Sequence, residues 1–281
     1  MGYMPQVRRR VASKTPLNAP GCVESHVMPK EIHKLYNGEI TLEFDQISHL
    51  YTVDGKRVAG VTGATGTISK PALVPWAAKM AAEYIEKRLL PGIAYDEIQI
   101  HEMLEGAKYA HGQSKETAAS KGKMIHEWIE DFIKGKNPPP PVNEELKRAT
   151  EAFVKWTKEH KTKFILSEKK VYSKFNNYAG TFDFTAEIDG SLVMGDIKTS
   201  SGIYDEMFFQ TAAYQCARQE EFPEEKYAAN IIVRCGKDGA LEIAQSEEYE
   251  KNLNAFLGAL AIYNRQQELR DRKFEKLLEI K

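Results

Sequence analysis

The chain has 281 residues, of which 42% are hydrophobic and 28% are charged, a composition typical of a folded globular protein. The sequence has no apolar run near the roughly 20 residues of a membrane-spanning helix, and its polar beginning lacks the apolar stretch of a signal peptide. The net charge of −1 gives no general basic excess, so contact with a nucleic acid would need a local basic patch. The three cysteines are widely spaced, which argues against a zinc or iron–sulfur site and favours a reducing, cytoplasmic compartment.

The N-terminal part of the chain divides into an arm and the start of a domain. Residues 1–38 contain several prolines and little hydrophobic periodicity, so we predict a flexible N-terminal arm. Residues 39–281 are predicted to form a single domain, with a hairpin and a helical wall over 39–160 and a core over 161–281. The hairpin should turn at Asp54-Gly55, where glycine supplies the positive φ of a tight turn.

The middle of the chain has the apolar spacing of helices. A first helix is predicted from Pro75 to about residue 90. Two further helices are predicted over 96–120 and 122–134. The four prolines at 138–141 predict a stiff spacer before the next helix, over 143–160.

The core begins with three predicted strands. The first covers 164–175 and should turn at Asn176-Asn177. The second and third cover 181–188 and 191–197, and Asp189-Gly190 between them is a strong two-residue hairpin signal.

This tight turn predicts the register of the hairpin. Ile188 should face Ser191, and continuing along the strands places Asp183 opposite Asp196 and Thr181 opposite Lys198. Because side chains on one face of a strand repeat every second residue, the two aspartates and Lys198 should share a face. The other face should be core and carry Phe182, Phe184, Ala186, Ile188, Val193 and Ile197.

Two carboxylates and a lysine on one face have a specific chemistry. Directly opposed carboxylates are about 5 Å apart at Cβ and destabilise a sheet unless something offsets their charge. A Mg²⁺ ion with oxygen ligands would do so, and Lys198 adds a fixed positive charge. This constellation suits phosphodiester cleavage, because a metal lowers the pKa of a bound water and stabilises charge on phosphate. The alternative is a surface cluster in which Lys198 only neutralises the acids.

The turn at Asn176-Asn177 extends the predicted site to the preceding strand. With two turn residues, Lys170 would face Asp183 and Glu168 would face Thr185, which places Glu168 on the same face as Asp183. The alternative is a surface glutamate paired with a neighbouring lysine.

After the third strand, a loop over 199–202 should lead into a helix from residue 204 to about 220. Gln210 and Tyr214 are four residues apart and so lie on one face of this helix. They are either part of a site or a half-exposed amphipathic pair. The chain then predicts a strand over 227–235, a returning strand over 240–244 and a long helix over about 247–278.

These elements together resemble the PD-(D/E)XK nuclease superfamily, in its branch of the RecB nuclease domain and phage exonucleases. The resemblance covers the chain from about residue 40 onward and is carried by Gly180-Thr181-Phe182-Asp183, Asp196-Ile197-Lys198-Thr199-Ser200 and Gln210 with Tyr214. It implies an α/β fold, a restriction-endonuclease-like core with a mixed central sheet flanked by helices and preceded by a helical region.

The resemblance also implies roles for individual residues. The metal ligands would be His126, Asp183, Asp196 and the backbone carbonyl of Ile197. The catalytic residues would be Asp183, Asp196, Lys198, Glu168, Gln210 and Tyr214. The nucleic-acid-binding residues would be Lys170, Thr199, Ser200, Gln210 and Tyr214. Gly122 precedes His126 by four residues, as in the family's Gly-x-x-x-His setting, whereas the sequence alone equally allows a packed histidine beside an apolar stripe.

The function implied is a DNA exonuclease that depends on Mg²⁺, with Mn²⁺ as a substitute, and acts on linear DNA with ends. The resemblance implies a phage or prophage enzyme of recombination or repair, which would work in the bacterial host cytoplasm. A single-strand annealing protein is an expected partner, and assembly into a homo-oligomer is a further possibility. A branch with a four-cysteine iron–sulfur cluster is not expected, because the chain has only three cysteines. The alternatives are a structure-specific DNA endonuclease of the same fold, a non-catalytic DNA-binding protein, and a metal enzyme with another substrate.

Overall fold

The structure is a computed structural model that describes residues 30–236 and 239–271. Its strands are β1 (Glu31–Leu35), β2 (Ile40–Asp45), β3 (Leu50–Val53), β4 (Lys56–Gly60), β5 (Lys163–Ser173), β6 (Tyr178–Ile188), β7 (Ser191–Lys198), β8 (Ala229–Cys235) and β9 (Leu241–Ser246). Its helices are α1 (Val61–Thr65), α2 (Leu73–Glu86), α3 (Glu97–Ile133), α4 (Glu144–Glu159), α5 (Asp205–Glu221) and α6 (Tyr249–Asp271). Within the described residues, none of these helices combines the length and the apolar character that a bilayer crossing requires.

The strands form a mixed sheet in the order β1-β2-β3-β4-β6-β7-β8-β9, and β5 pairs with β6 beside this path. The pairs of β4 with β6 and of β7 with β8 are parallel, and the other pairs are antiparallel. Helices pack on the sheet, so the predicted mixed α/β class is confirmed at this level.

The predicted N-terminal arm is too long. Residues 31–35 form strand β1, which pairs with β2, and residues 36–38 form a short 3₁₀ turn. Leu35 is buried with Leu42 and Tyr51, so this part of the predicted arm belongs to the sheet. Residues 1–29 lie outside the described residues, as does the last part of the predicted C-terminal helix, over 272–278.

The two helices predicted over 96–134 are a single helix, α3, of 37 residues. Asp96 caps its beginning by accepting a hydrogen bond from the main-chain N–H of Gln99. A glycine inside a helix costs about 1 kcal/mol relative to alanine, which the burial of Ile125 and Ile129 just beyond Gly122 offsets. Gly122 therefore does not end a helix, and the prediction of a break there was wrong.

The hairpin of β6 and β7 has the predicted register near its turn, but the predicted pairs of Asp183 with Asp196 and of Thr181 with Lys198 are not formed, because the ladder ends before them. Ile188 lies opposite Ser191, and Phe184 lies opposite Gly195. Asp189 and Gly190 have φ values of 48° and 85°, as a tight turn with two positive φ angles requires.

The register of β5 with β6 differs from the prediction, because the turn between them has four residues, 174–177. The main-chain N–H of Asn177 donates to the Ser173 carbonyl and closes this longer turn. As a result Lys170 pairs with Thr181 and not with Asp183. The residues on either side of Glu168 pair with the residues on either side of Asp183. Glu168 therefore lies directly across from Asp183. The shift is of two residues, an even number, so Glu168 still lies near Asp183 as predicted.

The core has two main parts, one on each side of the central strands. The first packs the sheet against α3 and α4, and the second packs it against α1, α5 and α6. Phe184 lies in the first part, but Phe182 packs in the second, which corrects the prediction that the two share a face. The alternation of side chains between the two faces of β6 thus breaks at Asp183. Across the ladder on β5, Glu168 has a φ of 52°, which departs from extended backbone.

Candidate active site at the fork of two strands

The candidate site lies where β6 and β7 separate. Their ladder ends at Phe184 and Gly195. From there β7 runs beside β8 as far as Lys198, whereas β6 runs on to pair with β4 at Tyr178. Two neighbouring strands that part in this way open a crevice, which we call the fork, and Asp183 and Asp196 stand at its edges.

The main chain holds Asp183 in place within the fork. Its Oδ2 accepts a hydrogen bond from the N–H of Ile197 at 2.5 Å, where the strand ladder would have continued. The same oxygen lies 3.7 Å from Nδ1 of His126, on α3. The contact that Ile197 makes with the site in this structure is through its N–H, whereas the resemblance assigned its carbonyl to the metal.

His126, Glu168 and Asp183 form a cluster of potential metal ligands. One nitrogen or oxygen atom from each lies within 4.8 Å of the others. Helix α3 supplies the imidazole, β5 the glutamate and β6 the aspartate, so the cluster exists only in the folded chain. An imidazole nitrogen and two carboxylate oxygens are suitable donors for a divalent cation.

Glu168 has an unusual protonation equilibrium. Burial, together with the negative charges of Asp183 and Glu130, raises its pKa from 4.5 to about 8, although Lys170 and Lys134 act in the opposite direction. Without a cation this carboxyl group therefore keeps its proton near pH 7. A cation at the cluster would favour the ionised form and reverse this effect.

Asp196 and Lys198 form a buried ion pair on β7. Oδ2 of Asp196 lies 2.5 Å from Nζ of Lys198, and the aspartate is only 2% exposed. The fork thus divides the predicted ligands into the cluster of His126, Glu168 and Asp183 and an adjoining pair of Asp196 with Lys198.

Burial and neighbouring charge oppose each other in this pair. Burial raises the pKa of Asp196 to about 6, against the lowering effect of Lys198 and with a further rise from Asp183. For Lys198, burial alone would lower the pKa, but the charges of Asp196 and Asp183 outweigh it and leave the pKa above its ordinary value. Lys198 is therefore cationic at neutral pH.

Gln210 and Tyr214 lie against this pair, on α5. Nζ of Lys198 donates to Oε1 of Gln210 at 3.2 Å, and Nε2 of Gln210 donates to the Tyr214 hydroxyl at 2.6 Å. Burial, together with the charge of Asp196, keeps the pKa of Tyr214 well above its ordinary value, so the hydroxyl stays neutral. The predicted pair thus joins the site through Lys198.

Sequence reasoning missed Thr62, at the beginning of α1. Its Oγ1 lies 3.5 Å from Nε2 of Gln210, although the two residues are 148 positions apart. No local pattern could have indicated this contact, because it depends on how α1 packs against α5.

The residues predicted to contact nucleic acid have defined positions beside the fork. Thr199 approaches α3 so closely that a Cβ on Gly122 would lie 2.6 Å from its Oγ1. Ser200 donates to the Gly202 carbonyl and accepts through its own carbonyl from Nε of Arg234.

Lys170 is the exception among these residues. Its side chain is 10% exposed, and Nζ lies 3.3 Å from a carboxylate oxygen of Glu31. The charge of Lys170 is thus paired within the protein, and a contact with phosphate would have to displace Glu31.

Comparisons with known proteins do not assign this chain to a family. Neither the protein-family models nor the curated proteins give a match. Among solved structures, one described as the crystal structure of SSO0001 is similar at 14% identity and a TM-score of 0.35, over 68% of this chain and 86% of that one. A TM-score this low supports no inference about fold or function.

Proposed function

We propose that this protein is a Mg²⁺-dependent DNA exonuclease of the PD-(D/E)XK superfamily. The observation that carries the proposal is the convergence of two carboxylates, an imidazole and a buried Asp–Lys pair at one fork of the sheet. The groups come from three consecutive strands, β5, β6 and β7, and from α3, which lies earlier in the chain. Such convergence of acids that repel one another is unfavourable for stability alone and therefore favours a site.

The donor set fits a divalent cation. His126, Glu168 and Asp183 offer one nitrogen and two carboxylate oxygens within 4.8 Å of one another. Asp196, beside them, adds a buried carboxylate whose charge is paired with Lys198. A divalent cation held there would supply an acidified water and offset the charge that develops on a phosphate.

The residues around the cation would hold and orient the reacting groups. The N–H of Ile197 fixes the Asp183 carboxylate, so this ligand is positioned before a cation arrives. Lys198 is cationic and would stabilise the negative charge on the phosphate or orient the attacking water. Gln210 accepts from Lys198 and thereby limits the directions in which its ammonium can point.

The order of elements around the fork supports a restriction-endonuclease-like core. Helices α3 and α4 precede three antiparallel strands, β5 to β7, after which α5 leads to β8 in parallel with β7. The proposed acids lie on the second and third of these strands, as the resemblance implies. An annealing-protein partner, a phage or prophage origin, a cytoplasmic location and assembly into a homo-oligomer rest on the resemblance alone.

The alternative of a surface cluster fits the burial poorly. An exposed aspartate–lysine pair costs little to form and contributes little to stability. Asp196 is instead 2% exposed and its partner Lys198 is also largely buried, at 22% for the side chain. Removing two charges from water costs free energy that their mutual attraction often does not repay. Burial of this pair is therefore poorly explained by stability alone.

The proposal is tested with labelled DNA. Purified wild-type protein is incubated with end-labelled single- and double-stranded linear DNA and with a closed circle, in EDTA, Mg²⁺ or Mn²⁺. We expect degradation of linear DNA only with a metal, an intact circle, and no cleavage by Lys198→Ala. Lys163→Ala, an exposed lysine at the beginning of β5, is the matched control and should cleave as the wild type does.

The other outcomes separate the rival functions. Nicking of the closed circle would identify an endonuclease of the same fold. DNA retention in EDTA without breakdown in Mg²⁺ would favour a non-catalytic DNA-binding protein. Undiminished metal-dependent cleavage by Lys198→Ala would refute the proposed role of the fork.

A further inference from the structure

A cavity of about 320 Å³ opens beside the fork, between the β2–β4 strands, α1, β6 and α6. Four aromatic rings contribute to its walls, those of Phe44, His49, Tyr51 and Tyr263. Its volume is at the small end of the range for ligand sites, about 300–1,000 Å³, so it suits one small planar group. We call it the aromatic cavity.

The aromatic cavity has an apolar floor and a polar rim. Tyr51, Val58 and Val61 are buried and form the floor, whereas His49 and Arg57 are exposed at the rim. Apolar walls with a few polar groups at the entrance are typical of a site that binds a flat, partly polar molecule.

Glycines keep the aromatic cavity open. Gly60, Gly63 and Gly180 all line it, and none places a side chain in it. A Cβ on Gly63 would lie 3.4 Å from the Tyr263 ring, and one on Gly60 would lie 3.6 Å from the Tyr51 ring. A larger side chain at Gly63 would therefore occupy space next to the aromatic walls.

The aromatic cavity is joined to the fork by direct contacts. Thr62 lines the cavity and lies 3.5 Å from Gln210, which holds Lys198. On the other side, the hydroxyl of Tyr51 is hydrogen-bonded at 2.8 Å to Thr181, two residues before Asp183. A group seated in the cavity would thus be close to a phosphate bound at the fork.

The rim carries an unpaired positive charge. The Arg57 guanidinium donates to the Tyr263 hydroxyl at 3.5 Å. No carboxylate of the described residues lies within 4 Å of it, in contrast to Lys170, which is paired with Glu31. The Arg57 guanidinium is available to contact a phosphate.

We propose that the aromatic cavity receives one unstacked base of a single-stranded DNA end while Arg57 contacts the adjoining phosphate. The proposal rests on the proposed nuclease function, because it assigns the neighbouring phosphodiester to the fork. Aromatic rings bind bases by stacking without regard to sequence, since every base has a flat face. A paired base inside a duplex cannot enter a cavity of this size, so the enzyme should prefer single-stranded or frayed ends.

The test measures binding in EDTA, so that it does not depend on cleavage. Fluorescence anisotropy compares a labelled twelve-residue oligothymidylate with a labelled abasic strand of the same length, which has phosphates but no bases. Gly63→Leu should bind the oligothymidylate about tenfold more weakly than the wild type, the size expected for loss of one stacked base. Binding of the abasic strand should not change.

Two further variants examine the rim. His49→Gly removes an aromatic ring at a position with a φ of 52°, which glycine adopts readily, so the variant should fold even if Gly63→Leu does not. It should also weaken oligothymidylate binding selectively. Arg57→Gln should weaken binding of both strands and lower the salt dependence by about one charge, whereas Lys56→Gln, an exposed control on the same strand, should not.

The outcomes separate this inference from the nuclease proposal. If the wild type cleaves DNA but Gly63→Leu and His49→Gly bind oligothymidylate normally, the base pocket is wrong and the nuclease stands. An equal loss for the oligothymidylate and the abasic strand would also overturn the pocket. If base-selective loss occurs in a wild-type background that never cleaves, the pocket stands and the nuclease proposal fails.

Discussion

Oδ2 of Asp183 lies 2.5 Å from the main-chain nitrogen of Ile197 and accepts its hydrogen bond. A side chain thus takes the place of the strand ladder, whose last pair is Phe184 with Gly195, one residue from Asp183 and two residues from Ile197. The carboxylate is held by rigid backbone and not by another flexible side chain.

Replacing Asp183 should separate its structural contact from its charge. Asp183→Asn keeps an oxygen that can accept the Ile197 N–H, whereas Asp183→Ala loses this bond, at about 1 kcal/mol. In EDTA we therefore expect denaturant unfolding to show Asp183→Asn more stable than Asp183→Ala. Both should lose metal-dependent cleavage. Equal stability of the two variants would mean that the hydrogen bond contributes nothing to the fold.

The metal-free protein should become less stable as the pH rises toward 8. The pKa of Glu168 is about 8 in the folded chain and 4.5 as an ordinary carboxyl group, so the folded state holds a proton that the unfolded state releases in between. The stabilisation from this proton is complete below pH 4.5 and lost as the pH rises through 8. Asp196 adds the same trend between 3.8 and about 6.

The control for this pH dependence is Glu168→Gln, which is neutral at every pH. Urea unfolding of this variant in EDTA should show a flatter dependence on pH between 5 and 8 than the wild type. Glu187→Gln, on the neighbouring exposed part of β6, should leave the wild-type slope unchanged. An unchanged slope in Glu168→Gln would show that its carboxyl group is ionised throughout this range.

Adding a methyl group at Gly122 should push against Thr199. The new Cβ would lie 2.6 Å from Thr199 Oγ1 but 3.7 Å from its Cβ. Overpacking costs about 1–3 kcal/mol, against a gain of about 1 kcal/mol from helix propensity. We expect Gly122→Ala to be neutral or destabilising by up to about 2 kcal/mol, and Thr199→Ala to restore the full helix gain in the double variant.

Gly112 provides the matched control on the same helix, because nothing lies within 4 Å of a Cβ there. Gly112→Ala should stabilise the protein by about 1 kcal/mol in thermal or urea unfolding. If Gly122→Ala stabilises the protein by the same amount, the loop at Thr199 is not pressed against α3.

Removing the Tyr214 hydroxyl should impair turnover more than DNA binding. The hydroxyl accepts from Nε2 of Gln210, whose Oε1 accepts from Lys198, so Tyr214→Phe should loosen the lysine. If the fork is catalytic, we expect kcat to fall about five- to tenfold with KM nearly unchanged, corresponding to one hydrogen bond of about 1 kcal/mol. Tyr172→Phe removes a comparable bond, to Asn177 at a remote turn, and should leave kcat unchanged.

Local patterns predicted most of the elements near the fork. Asp189-Gly190 defined the hairpin of β6 and β7, since a two-residue turn with positive φ angles allows one register. The same logic failed at Asn176-Asn177, where Ser173 closes a four-residue turn. The prediction of two helices over 96–120 and 122–134 was wrong, because the close packing of Gly122 against Thr199, which holds one continuous helix, has no local signal.

Local sequence was enough to predict which strands form the hairpin and that Asp183, Asp196 and Lys198 lie near its open end, because turn chemistry and a period of two act over a few residues. Packing of α3 and β5 against the hairpin placed Glu168 across from Asp183 and brought His126 to the same place. These contacts depend on how a helix and a neighbouring strand pack against the hairpin. Packing of that kind is set by the shape of the whole core, which no short stretch of sequence contains.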